Sequence, residues 1–121
     1  MENKGKILII DDSATNVFLL QTLPEDEGYN VVFAYNGKEA VNHLNEQNFD
    51  LLLLDIMMPG VDGYDILQKL SNDNRAIPVI MVTAKDDKDS EKKAKELGAS
   101  DYVTKPVNFE KLIEIVKKYT N

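Results

Sequence analysis

The sequence predicts an α/β fold, a doubly wound five-stranded parallel sheet with five helices on its two faces. Three observations carry this. Short apolar runs alternate strictly with stretches of helical period along the chain. The run Leu51-Leu52-Leu53-Leu54 has no polar position on either side, as a central strand covered on both faces requires. It is also short, and Asp55 followed by Pro59-Gly60 closes it, which favours a strand over a buried helix.

Lys6 to Ile10 reads as the first strand, stopped by the acidic pair Asp11-Asp12. Asp12 or Ser13 caps a first helix with Val17, Leu20 and Leu23 at helical spacing. Pro24 should end or kink that helix near Leu23, because its ring collides with the Leu20 carbonyl. Gly28 closes the segment before a second strand, Asn30 to Ala34. Asn36 and Glu39 have capping-box spacing and open a second helix, with Ala40, Val41 and Leu44 inward and an end near Gln47. His43 lies beside that stripe. With no second ligand at a suitable spacing, it reads as a surface side chain.

The leucine strand follows, placing Asp55 half out of the protein at the sheet edge, and a third helix runs from about Gly63 to Asn72 with Ile66, Leu67 and Leu70 facing the core. Ile77 to Val82 is the fourth strand, ending at Thr83-Ala84. A fourth helix starts at Asp86 or Asp87 and stops at Leu97-Gly98. Its apolar face is thin, little more than Ala94 and Leu97, so it should shift easily. Asp101 to Thr104 makes a short fifth strand before Lys105-Pro106. Asn108 caps the last helix, which sets Phe109, Leu112, Ile113 and Val116 at i, i+3, i+4 and i+7.

Composition narrows the function. A chain of 121 residues, 43% hydrophobic, is expected to be one domain with one core. Its net charge of −7 argues against direct nucleic-acid binding, which relies on basic patches. The lysines between residues 88 and 95 and between 111 and 118 are interleaved with acids and read as solvated helix faces. The absence of cysteine excludes disulfides and thiolate metal sites and fits a cytoplasmic setting. The Ile7–Ile10 run is too short for a signal peptide or a membrane span.

In parallel sheets of this class, ligands bind at the carboxyl ends of the strands. Asp11, Asp12, Asp55, Thr83 and Lys105 all fall there. Two unit charges ~4 Å apart repel by about 4 kcal/mol at an effective dielectric near 20, so the three carboxylates call for a cation. A hard dication with oxygen ligands suits them, Mg2+ better than Ca2+. With no histidine or cysteine in the group, the candidate nucleophile is a carboxylate, Asp55, suited to phosphoryl transfer. Lys105 and the Thr83 hydroxyl would neutralise the spread negative charge.

The motifs IIDDS after the first strand, LLLDIMMPGVDGYDIL around Asp55, VTA at Val82 to Ala84 and ASDYVTKP before the last helix resemble those of a bacterial-type response-regulator receiver domain, over essentially the whole chain. The resemblance implies the flavodoxin-like strand order 2-1-3-4-5. It implies that Asp55 takes a phosphoryl group from a phosphohistidine, on a histidine kinase or a histidine phosphotransfer protein. Asp12, Asp55 and the Met57 carbonyl would ligate Mg2+, with Asp11 acting through water. Thr83 and Tyr102 would form the switch, Lys105-Pro106 would be a cis peptide, and Met57 and Lys85 would flank the phosphate. The output face would run from the fourth helix through the fifth strand to the fifth helix and meet a downstream protein. The resemblance further implies a cytoplasmic signalling domain rather than a turnover enzyme, a monomer or weak dimer, with no output domain in residues 1–121. Pro24 is the departure that bears on any kinase-docking surface at the first helix.

Two other classes compete. A haloacid-dehalogenase-like phosphohydrolase needs a second acid two residues beyond the nucleophile, where this chain has Met57. A flavodoxin-like flavin carrier needs a Ser/Thr/Gly-rich phosphate loop after the first strand, where this chain has two aspartates.

Overall fold

The structure, a computed structural model, describes residues 4–120. Five strands alternate with five helices: β1 (Lys6–Ile10), α1 (Ala14–Asp26), β2 (Asn30–Ala34), α2 (Gly37–Glu46), β3 (Leu51–Leu54), α3 (Gly63–Asn72), β4 (Val79–Thr83), α4 (Lys88–Glu96), β5 (Asp101–Thr104) and α5 (Phe109–Thr120). All pairings are parallel and the order is β2-β1-β3-β4-β5.

The period-two alternation of strand side chains splits the core into two layers. Leu8, Ile10, Leu52, Leu54, Val79 and Met81 meet Ala40 and Leu44 of α2, Ile66, Leu67 and Leu70 of α3, and Ala94 of α4. Ile7, Ile9, Leu51, Leu53, Ile80 and Val82 meet Val17 and Leu20 of α1 and Leu112 and Val116 of α5. Burial of this apolar area on both faces is what holds a parallel sheet together.

Several local expectations are corrected. Helix α1 does not end near Leu23 but continues to Asp26 with Pro24 inside it and buried. The reason lies beyond the helix. Gly28, at φ +98°, donates its N–H to the Glu25 carbonyl at 3.0 Å, and Tyr29 donates to the Pro24 carbonyl at 3.0 Å. This pair of bonds is a Schellman motif closed by a left-handed glycine, and it holds Pro24 in the final turn, where a missing N–H forfeits a single bond. Strand β4 starts at Val79 rather than Ile77, since Pro78 has no N–H to give to the ladder and contributes its carbonyl to the Leu52 N–H instead. In α5 it is Ile115 and Tyr119, not Ile113, that join Phe109, Leu112 and Val116 on the core side. The Asn36 side chain caps α2 through the Glu39 N–H, but the Glu39 carboxylate turns to the Tyr35 N–H instead of completing a capping box.

Among the described residues, no helix is long and apolar enough to cross a membrane.

Candidate functional site

Register places the chemistry. Ile10 of β1 pairs with Leu54 of β3, so Asp11 and Asp55, one residue on, emerge side by side. Backbone bonds continue past the strand ends: Asp55 donates its N–H to the Ile10 carbonyl at 2.9 Å, and Asp11 donates to the Ala34 carbonyl at 3.1 Å. On the other side Thr83 pairs with Thr104, and the Lys105 N–H donates to the Thr83 carbonyl at 2.8 Å. Asp11, Asp55, Thr83 and Lys105 are therefore fixed by sheet backbone rather than by loops. That gives a constellation the stiffness a catalytic geometry needs.

The Lys105 ammonium sits between two carboxylates, 2.7 Å from Asp11 Oδ2 and 3.1 Å from Asp55 Oδ2. Each acid uses its other oxygen locally: Asp11 Oδ1 accepts the Ser13 N–H at 2.9 Å, and Asp55 Oδ1 accepts the Met57 N–H at 3.1 Å. Asp55 is not half out of the protein, as its strand-end position suggested, but only 5% exposed. A carboxylate tolerates such burial because it is paired and hydrogen-bonded. Burial alone would push the Lys105 ammonium toward neutrality, but its hydrogen bonds to Asp11 and Asp55 outweigh this and hold its pKa above the ordinary lysine value.

Asp12 is exposed and completes the group: Asp11, Asp12 and Asp55 each present an oxygen within 4.8 Å of the others. Three carboxylates against the single ammonium bonded to them leave a local charge of −2. That donor set, all hard oxygen and in excess by two charges, fits a divalent cation of the Mg2+ type.

Thr83 is fully buried, and its Oγ1 accepts the Lys85 N–H at 3.4 Å. Tyr102 lies one strand away, packed against the core layer under α3 and α4. Its hydroxyl donates to the Lys85 carbonyl at 2.6 Å, so Thr83 and Tyr102 hold the same residue by its two backbone groups. Burial first, then the nearby Tyr64 and the carboxylates of Asp87, Glu91 and Asp55, raise the Tyr102 hydroxyl pKa to about 12. Helix α4 buries only Ser90 and Ala94. Polar contacts supply the rest of its seat: the Tyr64 hydroxyl reaches the Ser90 carbonyl at 3.4 Å, and the Lys93 ammonium lies 4.2 Å from the centre of the Tyr64 ring. The Lys105–Pro106 peptide bond is cis.

Sequence reasoning missed one contributor. The loop after Asp55 rests on the start of α2, where a Cβ at Gly37 would lie 2.4 Å from Val61 Cβ and 2.8 Å from the Val61 carbonyl oxygen. The available signal was a glycine, a poor helix former, directly after a helix cap. Gly37→Ala should therefore displace the Met57–Val61 loop and slow whatever chemistry Asp55 performs, while leaving the sheet intact. Unchanged NMR amide positions through residues 57–61 would contradict this.

The comparisons with known proteins now bear on this rim. The family model described as response regulator receiver domain matches residues 7–117. The chain belongs to that family. This receiver domain is 40% identical over 114 residues to PilH of Pseudomonas aeruginosa, spanning 93% of this chain and 94% of that protein. It is 38% identical over 114 residues to YkoG, a transcriptional regulatory protein of Bacillus subtilis. That match covers 94% of this chain and about half (50%) of YkoG. Among solved structures, response regulator TrrA of Thermotoga maritima, crystallised with Mg2+ and beryllium fluoride, superposes with a TM-score of 0.85 at 34% identity over 94% of this chain and 97% of that one. The receiver family and its fold, with strand order 2-1-3-4-5, agree with the reading from sequence. The phosphohydrolase and flavin-carrier readings find no support.

Proposed function

We propose that Asp55 of this receiver domain accepts a phosphoryl group from a phosphohistidine, carried by a histidine kinase or a histidine phosphotransfer protein. The observation that carries this is the Lys105 ammonium bridging Asp11 and Asp55 at 2.7 and 3.1 Å, beside a third carboxylate. An Asp55 oxygen attacks phosphorus in line with the P–N bond of the donor. That bond breaks, and the imidazole leaves with its electron pair and takes a proton from solvent. Asp55 then holds a mixed acyl–phosphate anhydride. Lys105, already against Asp55 Oδ2, is placed to pair with a phosphoryl oxygen, and the Thr83 hydroxyl closes on another.

Asp12, Asp55 and the Met57 backbone carbonyl would hold Mg2+, with Asp11 acting through water; the ion supplies charge neutralisation at the phosphoryl oxygens. Support comes from the local charge of −2 and from the Mg2+ and beryllium fluoride in the TrrA crystal, since beryllium fluoride has the tetrahedral shape of a phosphoryl group. Met57, a residue 53% exposed, and Lys85 line a cleft of about 400 Å3 beside the acceptor and set how readily water reaches the anhydride.

The signal leaves through Lys85. Closure of Thr83 on the phosphoryl group pulls the residue that Tyr102 also holds, Tyr102 moves inward, and the lightly seated α4 repacks. A downstream protein reads the α4–β5–α5 face. The domain works in the cytoplasm as a monomer or weak dimer, without direct nucleic-acid or membrane contact. It promotes its own phosphorylation and dephosphorylation rather than turning over external substrates.

Incubation with acetyl phosphate and Mg2+ tests the reading. One phosphoryl adduct per chain, absent from Asp55→Asn and from chelator-treated protein, is expected by intact mass spectrometry. Continuous release of phosphate from a stable monoester such as p-nitrophenyl phosphate would point to a hydrolase and contradict it.

A further inference from the structure

The segment Asn30-Val31-Val32-Phe33-Ala34-Tyr35-Asn36 carries no charge, in a chain where 29% of residues are charged. Its first five residues form β2, the edge of the sheet, paired on one side only, with β1. The Asn30 N–H donates to the Gly5 carbonyl at 2.9 Å, and the Ala34 carbonyl accepts the Asp11 N–H at 3.1 Å. By the alternation of a parallel ladder, residues 30, 32 and 34 turn their backbone groups to β1, while Val31 and Phe33 turn theirs away. The Tyr35 N–H is taken by Glu39 Oε1 at 2.8 Å. The open edge thus offers the N–H and C=O of Val31 and Phe33.

Soluble proteins guard such an edge with lysine, proline, a bulge or a covering element. Strand β2 has neither lysine nor proline, and it pairs with β1 residue for residue without a bulge. Instead, Phe33 and Tyr35 stand 42% and 37% exposed, their rings 5.2 Å apart. Between this edge and α2 lies an open groove of about 570 Å3. Glu39 and Glu46 bring formal charge to its wall, His43 lies between them, and no lysine or arginine lines it.

We infer that the β2 edge docks an extended segment of a partner protein in which apolar side chains alternate with lysine or arginine. The partner's backbone adds a strand along Val31 and Phe33. Its apolar side chains lie on Phe33 and Tyr35, and its basic side chains reach Glu39 and Glu46. Charge disfavours a second copy as the natural occupant. Pairing two β2 edges would bring together the acidic rims of two chains that each carry −7.

Amide-resolved NMR of the whole chain tests this with an end-blocked heptapeptide alternating valine and lysine. The expected result is saturable shifts centred on Val31, Phe33 and the start of α2, slowed exchange of the Val31 and Phe33 amides, and weakening by added salt. The same peptide with glutamate for lysine should leave the spectrum unchanged. Phe33→Lys should weaken binding about tenfold, the equivalent of ~1.4 kcal/mol. Tyr35→Lys provides a second variant, and for both an undisturbed spectrum away from β2 reports an intact fold. Shifts centred on Asp11, Asp12 and Asp55, equal response to the glutamate peptide, or no response would overturn the proposal. Concentration-dependent shifts at β2 without peptide would overturn it in favour of self-pairing.

Discussion

Lys105→Met should destabilise the domain by about 3 kcal/mol in chelator at neutral pH, measured by urea denaturation. The substitution keeps the stem and removes the ammonium that lies 2.7 Å from Asp11 and 3.1 Å from Asp55. Those carboxylates are 2% and 6% exposed at the side chain, and each would be left with a single backbone N–H, from Ser13 or Met57. Breaking a buried pair leaves an uncompensated buried charge, and the lysine's 19% side-chain exposure sets the loss at the low end of the range. Because the Lys105 pKa is raised on folding, its stabilisation is fully present below the ordinary lysine value. It is lost as pH rises through the folded one. The wild type should therefore decline more steeply at alkaline pH than the variant. Added Mg2+ should restore part of the loss, since the acid group then carries −3 and binds a dication more strongly. A loss under about 1 kcal/mol would mean that solvent screens the pair.

Asp55→Asn should have the opposite sign, raising stability in chelator by about 1–2 kcal/mol and shrinking the increment that Mg2+ adds. The amide has the shape of the carboxylate but a single acceptor oxygen, which keeps the Met57 N–H while its NH2 turns toward Lys105 in place of Oδ2. It removes one attraction, to Lys105, and two repulsions, from Asp11 and Asp12, whose oxygens lie within 4.8 Å. Asp11 keeps the shorter of the two lysine bonds. An unchanged denaturation midpoint together with an intact Mg2+ response would show that the three acids do not act as one site.

The strand ends were legible because apolar runs stop abruptly, and parallel register then forces the residues after Ile10, Leu54 and Thr104 onto one rim. Asp11, Asp55 and Lys105 follow from that with no side-chain detail. The burial of Asp55 was not legible, because it depends on an ammonium fifty residues away in sequence. Nor was the continuity of α1 through Pro24, which rests on bonds made by Gly28 and Tyr29 after the helix has ended. The inward stripe of α5 was misplaced by one position, at Ile113, because helical spacing alone does not choose between adjacent faces when Ile115 and Tyr119 extend one of them. The close approach of Val61 to Gly37 and the unguarded β2 edge needed the assembled sheet to be seen.

Borohydride trapping tests the assignment of the acceptor most directly. Hydride reduces an acyl phosphate at an aspartate to the alcohol, converting that residue to homoserine and releasing phosphate, and peptide mass mapping then reads its position. After treatment with acetyl phosphate and Mg2+, homoserine is expected at position 55 alone. Homoserine at position 11 or 12, or none at 55 in protein that carries the phosphoryl adduct, would contradict it.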